Sequence, residues 1–182
     1  MIHEPRGASV RCYVVVAIMA IAMAGCIPNP NINDPAVVQK ATTVKSDPNP
    51  KLGSVDGPWA FTDFNTSYQL SASKLGNDRD LNELNVYLTL QHTKFDARLD
   101  FEGAADLQGH AFEVISVTAD PSDSSNGRRW IETVNVKIGL AYLKAHSESG
   151  INLEIRGIEG VENVQVTVPA GYVKGFLAAI NS

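Results

Sequence analysis

The sequence has little from which a disulfide framework or a nucleic-acid interface could be built. Its 182 residues include only two cysteines, Cys12 and Cys26, and none follows Cys26. The part of the chain after Cys26 therefore has no disulfide and depends on its hydrophobic core for stability. Basic residues are also sparse: the net charge is −5, the pI is about 5.3, and no Lys/Arg run exceeds two residues. This composition excludes nucleic-acid binding through a basic surface.

The motifs of common enzyme classes and metal sites are missing as well. The sequence contains no nucleophile elbow, P-loop or dinucleotide-binding glycine motif. His92, His110 and His146 have neither cysteine partners nor the spacing of a zinc site. We therefore predict a protein that is not an enzyme and that holds no metal and no cofactor.

The N-terminal segment contains the most specific pattern in the sequence. Two basic residues, Arg6 and Arg11, precede thirteen uninterrupted apolar residues, 12–24, which are followed by Gly25 and Cys26. An ordinary transmembrane helix needs about 20 apolar residues, so this run is too short to span a bilayer. A basic start, a short apolar run and small residues at its end are typical of a secretory signal peptide.

The end of this segment, Met23-Ala24-Gly25-Cys26, resembles the lipobox of bacterial lipoprotein precursors, with Met23 in place of the usual leucine. The resemblance implies that residues 1–25 are cleaved as a signal peptide and that Cys26 is acylated. Two or more acyl chains anchor a protein stably to a membrane. Because Ile27 rather than aspartate follows the cysteine, the resemblance implies an outer-membrane lipoprotein that faces the periplasm. The alternatives are the inner membrane, the cell surface, an ordinary cleaved signal peptide with a soluble periplasmic product, and an uncleaved anchor.

A proline-rich segment, 26–58, separates the signal peptide from the aromatic residues of the remaining chain. It contains six of the nine prolines, no aromatic residue and balanced charges. This composition predicts that the acylated cysteine is followed by a flexible tether with one short helix, over 36–41, capped by Asp34. The folded domain is expected to begin at Trp59, and a chain beginning near Gly57 is expected to fold alone.

Alternating apolar residues in the next part of the chain predict antiparallel strands with one covered and one solvated face. This alternation occurs at 67–74, 85–91 and 95–101, and the short polar break between the last two predicts a hairpin. A further strand is expected at 111–118, followed by a polar loop at 120–129.

Two similar stretches thirty residues apart complete the predicted fold. The pattern Val134-x-Val136-x-Ile138-x-x-x-Tyr142-Leu143-Lys144 recurs as Val164-x-Val166-x-Val168-x-x-x-Tyr172-Val173-Lys174. Each copy predicts a strand followed by a helix, with Tyr142 and Tyr172 packing the helix on the sheet. We therefore predict one α+β domain over 59–182. It would have a mainly antiparallel sheet of about six or seven strands, with two helices, at about 140–149 and 170–180, on one face.

Arg128, Arg129 and Trp130 are the candidate binding residues. They lie at the end of the predicted polar loop, and both arginine and tryptophan are enriched at binding hot spots. The alternative for Trp130 is a core position, which its even-numbered phase with Val134 favours although Glu132 interrupts that face.

Asp96, Asp100 and Glu102 are the candidate catalytic residues for the enzyme alternative. They alternate on one face of the predicted strand at a spacing that suits an acid–base carboxylate pair. Lys94 and Arg98 share that face, which favours a solvated surface of mixed charge instead.

The sequence thus predicts a cell-envelope lipoprotein anchored through Cys26, with a non-catalytic periplasmic domain. Its partners would be the membrane, through the lipid, and another envelope component, either a protein or a glycan. An envelope hydrolase using the carboxylate face is one alternative. The other is a carrier of an apolar ligand, which would need a cavity between the helices and the sheet.

Overall fold

The structure is a computed structural model that describes residues 31–46, 52–75, 84–95, 97–124, 127–158 and 162–182. These residues form ten strands and three helices. The helices are α1 (Pro35–Ala41), α2 (Leu140–Ala145) and α3 (Ala170–Ile180). The strands are β1 (Thr43–Ser46), β2 (Leu52–Asp56), β3 (Ala60–Phe61), β4 (Thr66–Leu75), β5 (Asn85–Phe95), β6 (Gly103–Asp106), β7 (Ala111–Ser124), β8 (Gly127–Lys137), β9 (Ile151–Arg156) and β10 (Val164–Val168).

All ten strands belong to one open sheet. Its order is β1-β2-β4-β5-β8-β7-β6-β9-β10, and the two-residue strand β3 pairs with β4 beside this path. Every described pairing is antiparallel. The predicted α+β class with a mainly antiparallel sheet is confirmed. The predicted numbers, six or seven strands and two helices, are too low for the described residues.

The two copies of the repeated pattern form equivalent strand–helix pairs, because β8 leads into α2 and β10 leads into α3. α2 ends at Ala145, earlier than predicted, and a turn carries the chain to Gly150. Gly150 has a φ of +77°, and a Cβ there would lie 2.5 Å from the carbonyl oxygen of Val168. Glycine is therefore required at this position for both conformation and space.

The buried core lies on the face of the sheet that the alternation predicts. Val86, Leu88 and Leu90 of β5 are fully buried and belong to one cluster with Tyr172 and Phe176 of α3. Tyr172 is thus a core residue, as predicted. Among the described residues, no helix is both long enough and apolar enough to cross a membrane.

The hairpin predicted between 85–91 and 95–101 is wrong. β5 continues without a break to Phe95, and its polar residues keep their pairing with β8, as in His92 with Glu132 and Lys94 with Trp130. Ladder hydrogen bonds are made by the backbone, so polar side chains do not end a strand that has neighbours on both sides. Residues 97–102 form no strand and instead run as a loop.

The polar loop predicted at 120–129 is also wrong, because most of it belongs to a long hairpin. β7 extends to Ser124 and β8 begins at Gly127, with Asp120 paired to Ile131 and Ser122 to Arg129. Strand propensity depends on packing against neighbouring strands, and the polar composition of this segment concealed that pairing. The candidate residues Arg128, Arg129 and Trp130 therefore lie on a strand.

The domain also begins earlier than the predicted boundary at Trp59. The short helix capped by Asp34 is present as α1, whose Ala36 N–H donates to the Asp34 carboxylate at 2.9 Å. It is not part of a free tether: Val38 is 0% exposed within the core cluster, and β2 pairs with β4. The close approach depends on Gly175 of α3, where a Cβ would lie 2.6 Å from Val38 Cβ. Cys26 lies outside the described residues.

Candidate functional site

The predicted binding residues lie at one end of the β5–β8 pair and form contacts between cations and aromatic rings. Trp130 is half-buried on the core face of the sheet, in the predicted phase with Val134. The guanidinium carbon of Arg128 lies 5.2 Å from the Trp130 ring centroid, and that of Arg98 lies 5.6 Å from it. Contacts of this kind stabilise by about 0.5–2 kcal/mol, depending on solvation.

Arg129 makes a similar contact on the other face of the same strand pair. Its guanidinium carbon lies 5.7 Å from the ring centroid of Phe95, its register partner across β5 and β8. Phe95 is 46% exposed, so this contact lies at the surface. We refer to Phe95, Arg98, Arg128, Arg129 and Trp130 together as the arginine–tryptophan cluster.

Two exposed aromatic residues lie at the end of β3 and in the connection that follows it. Phe61 is 58% exposed and Phe64 is fully exposed. Their connection lies next to the end of β5, because the Thr93 N–H donates to the carbonyl oxygen of Asn65 at 2.8 Å. This end of the sheet therefore presents aromatic and cationic side chains together, the composition found at binding hot spots.

A buried carboxylate fixes the loop that carries Arg98. Glu132 is 0% exposed, and its two oxygens accept hydrogen bonds from the backbone N–H groups of Leu99, at 2.5 Å, and Asp100, at 2.9 Å. Asp100 has a φ of +48°, which turns the two N–H groups toward one acceptor group. In the sequence, Glu132 interrupts an apolar face, and its position in phase with Val134 and Val136 was the only signal of its burial.

His92 lies beside this carboxylate in the neighbouring strand. Its Nδ1 is 2.9 Å from Thr66 Oγ1, and its ring meets that of Phe101 edge-on, with centroids 6.3 Å apart. Burial lowers the pKa of His92, although the charges of Asp63 and Glu132 partly oppose this effect. His92 is thus held neutral in a polar row, Thr66–His92–Glu132, that crosses three strands in register.

The structure does not assemble the carboxylate face on which the enzyme alternative depended. Asp96 lies outside the described residues, and Asp100 and Glu102 lie in a loop without strand alternation. The Asp100 carboxylate pairs with Arg98 at 2.5 Å, and the backbone N–H of Glu102 donates to the carbonyl oxygen of Arg156. Alternate residues share a face in a strand but not in this loop, so the predicted carboxylate face is not formed by Asp100 and Glu102.

A second site, which sequence analysis missed, lies at the opposite end of β7–β8. A pocket of about 460 Å³ opens between the β6–β7 turn, α2 and the start of β9. We call it the histidine–tyrosine pocket; it is lined by Asp106, Gln108, His110, Tyr142, His146, Ser149, Gly150 and Asn152. Its volume falls within the range of small-molecule sites.

Asp106 organises this pocket. Its Oδ1 accepts from the N–H groups of Gln108 at 3.0 Å and His110 at 2.8 Å, and its Oδ2 accepts from the Tyr142 hydroxyl at 2.8 Å. Burial alone would raise the pKa of Asp106, but these hydrogen bonds together lower it below its ordinary value. Burial and the hydrogen bond to Asp106 raise the pKa of Tyr142 to about 12. Tyr142 is therefore a neutral phenol that donates to a carboxylate.

Rings surround Tyr142 in this pocket. His146 stacks on it with centroids 4.0 Å apart, and His110 stacks with centroids 5.6 Å apart. Phe112 meets Tyr142 edge-on at 4.9 Å. Packing of the helix on the sheet, the role predicted for Tyr142, is therefore only one of its roles. The half-buried ring also lines an open pocket. The sequence contains little indication of this pocket, because the residues that line it are spread over 106–152.

Metal-ligating side chains are not clustered in the described part of the chain. There, no group of three His, Cys, Asp or Glu side chains is arranged to hold a metal ion. Comparisons of the chain with protein families, with curated proteins and with solved structures each found no match.

Proposed function

We propose that this chain is a lipoprotein of the bacterial cell envelope, anchored through acylated Cys26, whose non-catalytic domain binds an envelope protein. The binding surface is the arginine–tryptophan cluster together with the exposed Phe61 and Phe64. The observation that carries the proposal is the packing of Arg98 and Arg128 over one half-buried tryptophan. Such residues lose little conformational entropy on binding because they are already ordered.

Charge favours an acidic partner for this surface. The chain as a whole has a net charge of −5, whereas Arg128 and Arg129 are adjacent at one end of β8, and Arg98, which pairs with Asp100, lies against the same tryptophan as Arg128. Complementary charge accelerates association and selects among partners more than it adds affinity. We therefore expect an acidic, aromatic-binding patch on the partner.

The anchor would keep the domain close to the membrane. Only eight residues, 27–34, separate Cys26 from Pro35, where α1 begins and packs on α3. At about 3.3–3.6 Å per residue, even a fully extended chain from Cys26 to Asp34 spans less than about 30 Å. The partner would accordingly be a membrane-associated component rather than one deep in the periplasm.

The two alternatives have less support. The hydrolase alternative depends on strand alternation over Asp96–Glu102, and residues 97–102 form no strand. The carrier needs space between the helices and the sheet, and there the buried side chains of Tyr68, Tyr172 and Phe176 belong to one cluster.

Replacement of Cys26 by alanine should abolish acylation. The thiol of Cys26 is the attachment point that the lipobox implies, and no other cysteine follows it. Metabolic labelling with an alkyne fatty acid, followed by membrane fractionation, should show loss of label and release or precursor accumulation. Cys12→Ala is the matched control and should keep full labelling. Unchanged labelling of the Cys26→Ala chain would refute the anchor.

Photo-crosslinking from position 64 should capture a partner through the cluster. With p-benzoylphenylalanine in place of Phe64, the combined substitution Arg128→Ala and Arg129→Ala should reduce adduct yield at least fivefold. The double variant should stay folded but lose about 1–2 kcal/mol of stability, because it removes two contacts between an arginine and an aromatic ring, each worth about 0.5–1 kcal/mol near the surface. Lys144→Ala, an exposed change on α2, should leave the adduct intact. An adduct insensitive to the arginines would count against the proposed surface.

A further inference from the structure

We propose that the histidine–tyrosine pocket binds a neutral sugar ring of a glycan. The pocket and the arginine–tryptophan cluster lie at opposite ends of β7–β8: His110 directly precedes β7, whereas Arg128 pairs with Asp123 at its far end. The inference therefore concerns a second site and goes beyond the function proposed above.

The pocket is pre-organised for a ligand. Three hydrogen bonds to Asp106 fix the β6–β7 turn and the Tyr142 ring. The turn also contains Gly109 with a φ of +86°, a conformation that glycine adopts without steric strain. A site that is already ordered loses less entropy when a ligand binds.

The charges of the pocket favour a neutral ligand. No lysine or arginine is among the described residues that line it, so an anion such as phosphate finds no fixed cation there. Asp106 already accepts three hydrogen bonds, which leaves it poorly placed to pair with a ligand cation. Both charged classes of ligand are therefore disfavoured.

The polar groups of the pocket match hydroxyl and amide groups. Gln108 offers an amide that can both donate and accept, whereas Asn152 offers mainly its NH₂ group, because its Oδ1 accepts from the Thr167 hydroxyl at 2.7 Å. His146 Nδ1 donates to the carbonyl oxygen of Tyr142 at 2.9 Å, so Nε2 is the ring nitrogen that remains for a ligand. Sugar hydroxyls likewise donate and accept, which makes them complementary to this set.

The rings supply the apolar part of recognition. Tyr142 and His146 form a rigid stack, with their planes inclined by 22°. The C–H face of a pyranose is flat and apolar, and it can pack on the exposed ring of His110 while its hydroxyls point to the amides, since the faces of Tyr142 are already covered by His110 and His146. A few oriented polar groups beside ring surfaces are the usual composition of a specific small-ligand site.

Binding can be tested by saturation-transfer NMR on the full chain in detergent, with three probes: chitotriose, maltotriose and inorganic phosphate. We expect saturable binding of at least one trisaccharide, and no binding or competition by phosphate. His146→Ala and Asn152→Ala should each weaken binding at least tenfold, whereas Lys144→Ala, on the exposed side of α2, should not.

Asn152 is exposed, so its substitution keeps the test valid even if His146→Ala lowers the melting temperature. Arg128→Ala with Arg129→Ala should leave sugar binding unchanged, which separates this site from the proposed protein surface. The proposal is overturned if neither trisaccharide binds, if both pocket variants bind like the unmodified chain, or if phosphate competes.

Discussion

Replacing Glu132 by alanine should destabilise the domain by about 2–5 kcal/mol, because one buried and one part-buried N–H group lose their acceptor at once. Both oxygens of this fully buried carboxylate are used, one by Leu99 and one by Asp100. Each unsatisfied donor costs about 1–3 kcal/mol, less whatever the loop recovers by reaching water. Urea denaturation measures the loss, and hydrogen exchange at Leu99 and Asp100 should accelerate with it.

Two further substitutions interpret that result. Glu132→Gln keeps one acceptor oxygen and should show roughly half of the loss, since its NH₂ group faces the second N–H. Glu113→Ala removes an exposed carboxylate that lies 3.9 Å from Lys137 and should change stability by less than about 0.5 kcal/mol. A Glu132→Ala chain as stable as the Glu113→Ala chain would mean that the loop does not depend on the carboxylate.

The repeated strand–helix pattern was predictable because its apolar residues recur at strand and then helix spacing. Val134 and Val136 are buried in β8, and Val164, Val166 and Val168 are buried in β10. Periodicity carries this information without any knowledge of the partners. The class of the fold and the positions of α2 and α3 follow from it.

Features that depend on partners distant in sequence were not predictable in the same way. Glu132 is compatible with a strand interior only because the loop at Leu99 and Asp100 supplies two donors. The histidine–tyrosine pocket joins residues from 106 to 152, whose spacing matches no motif. In both cases a polar residue becomes meaningful only once the tertiary structure has placed its neighbours.

The prediction that the domain begins at Trp59 was wrong for a related reason. α1 buries only one side chain, Val38, so its sequence has hardly any apolar periodicity to detect. Its packing instead depends on Gly171 and Gly175 of α3, more than 130 residues later, which leave room for the backbone of Asn33 and Pro35. The space for α1 is left by glycines on a distant helix, so the sequence of α1 itself does not show that it packs there.

A chain beginning at Gly57 should therefore fail to fold stably, whereas one beginning at Asn31 should unfold cooperatively. The shorter chain lacks α1, β1 and β2, which leaves the β4 edge and the glycine surface of α3 uncovered. Val38 alone contributes about 1.5–3 kcal/mol by burial, against a total stability of about 5–15 kcal/mol for typical domains. Thermal melts followed by circular dichroism compare the two, and superimposable melts would restore the boundary near Trp59.

Gly175→Ala tests the docking of α1 without deleting it. In a chain beginning at Asn31 the added methyl would lie 2.6 Å from Val38 Cβ, so we expect a loss of about 1–3 kcal/mol. In a chain beginning at Thr43, which lacks α1, the same change should be neutral or stabilise α3 by up to about 1 kcal/mol. Gly103→Ala is the matched control, because its nearest neighbour would be Arg156 Cβ at 4.0 Å, and it should destabilise neither chain. Urea titrations of both chains, unmodified and with each substitution, give all six free energies of unfolding. An equal loss from Gly175→Ala in both chains would show that this glycine serves α3 alone rather than the contact with α1.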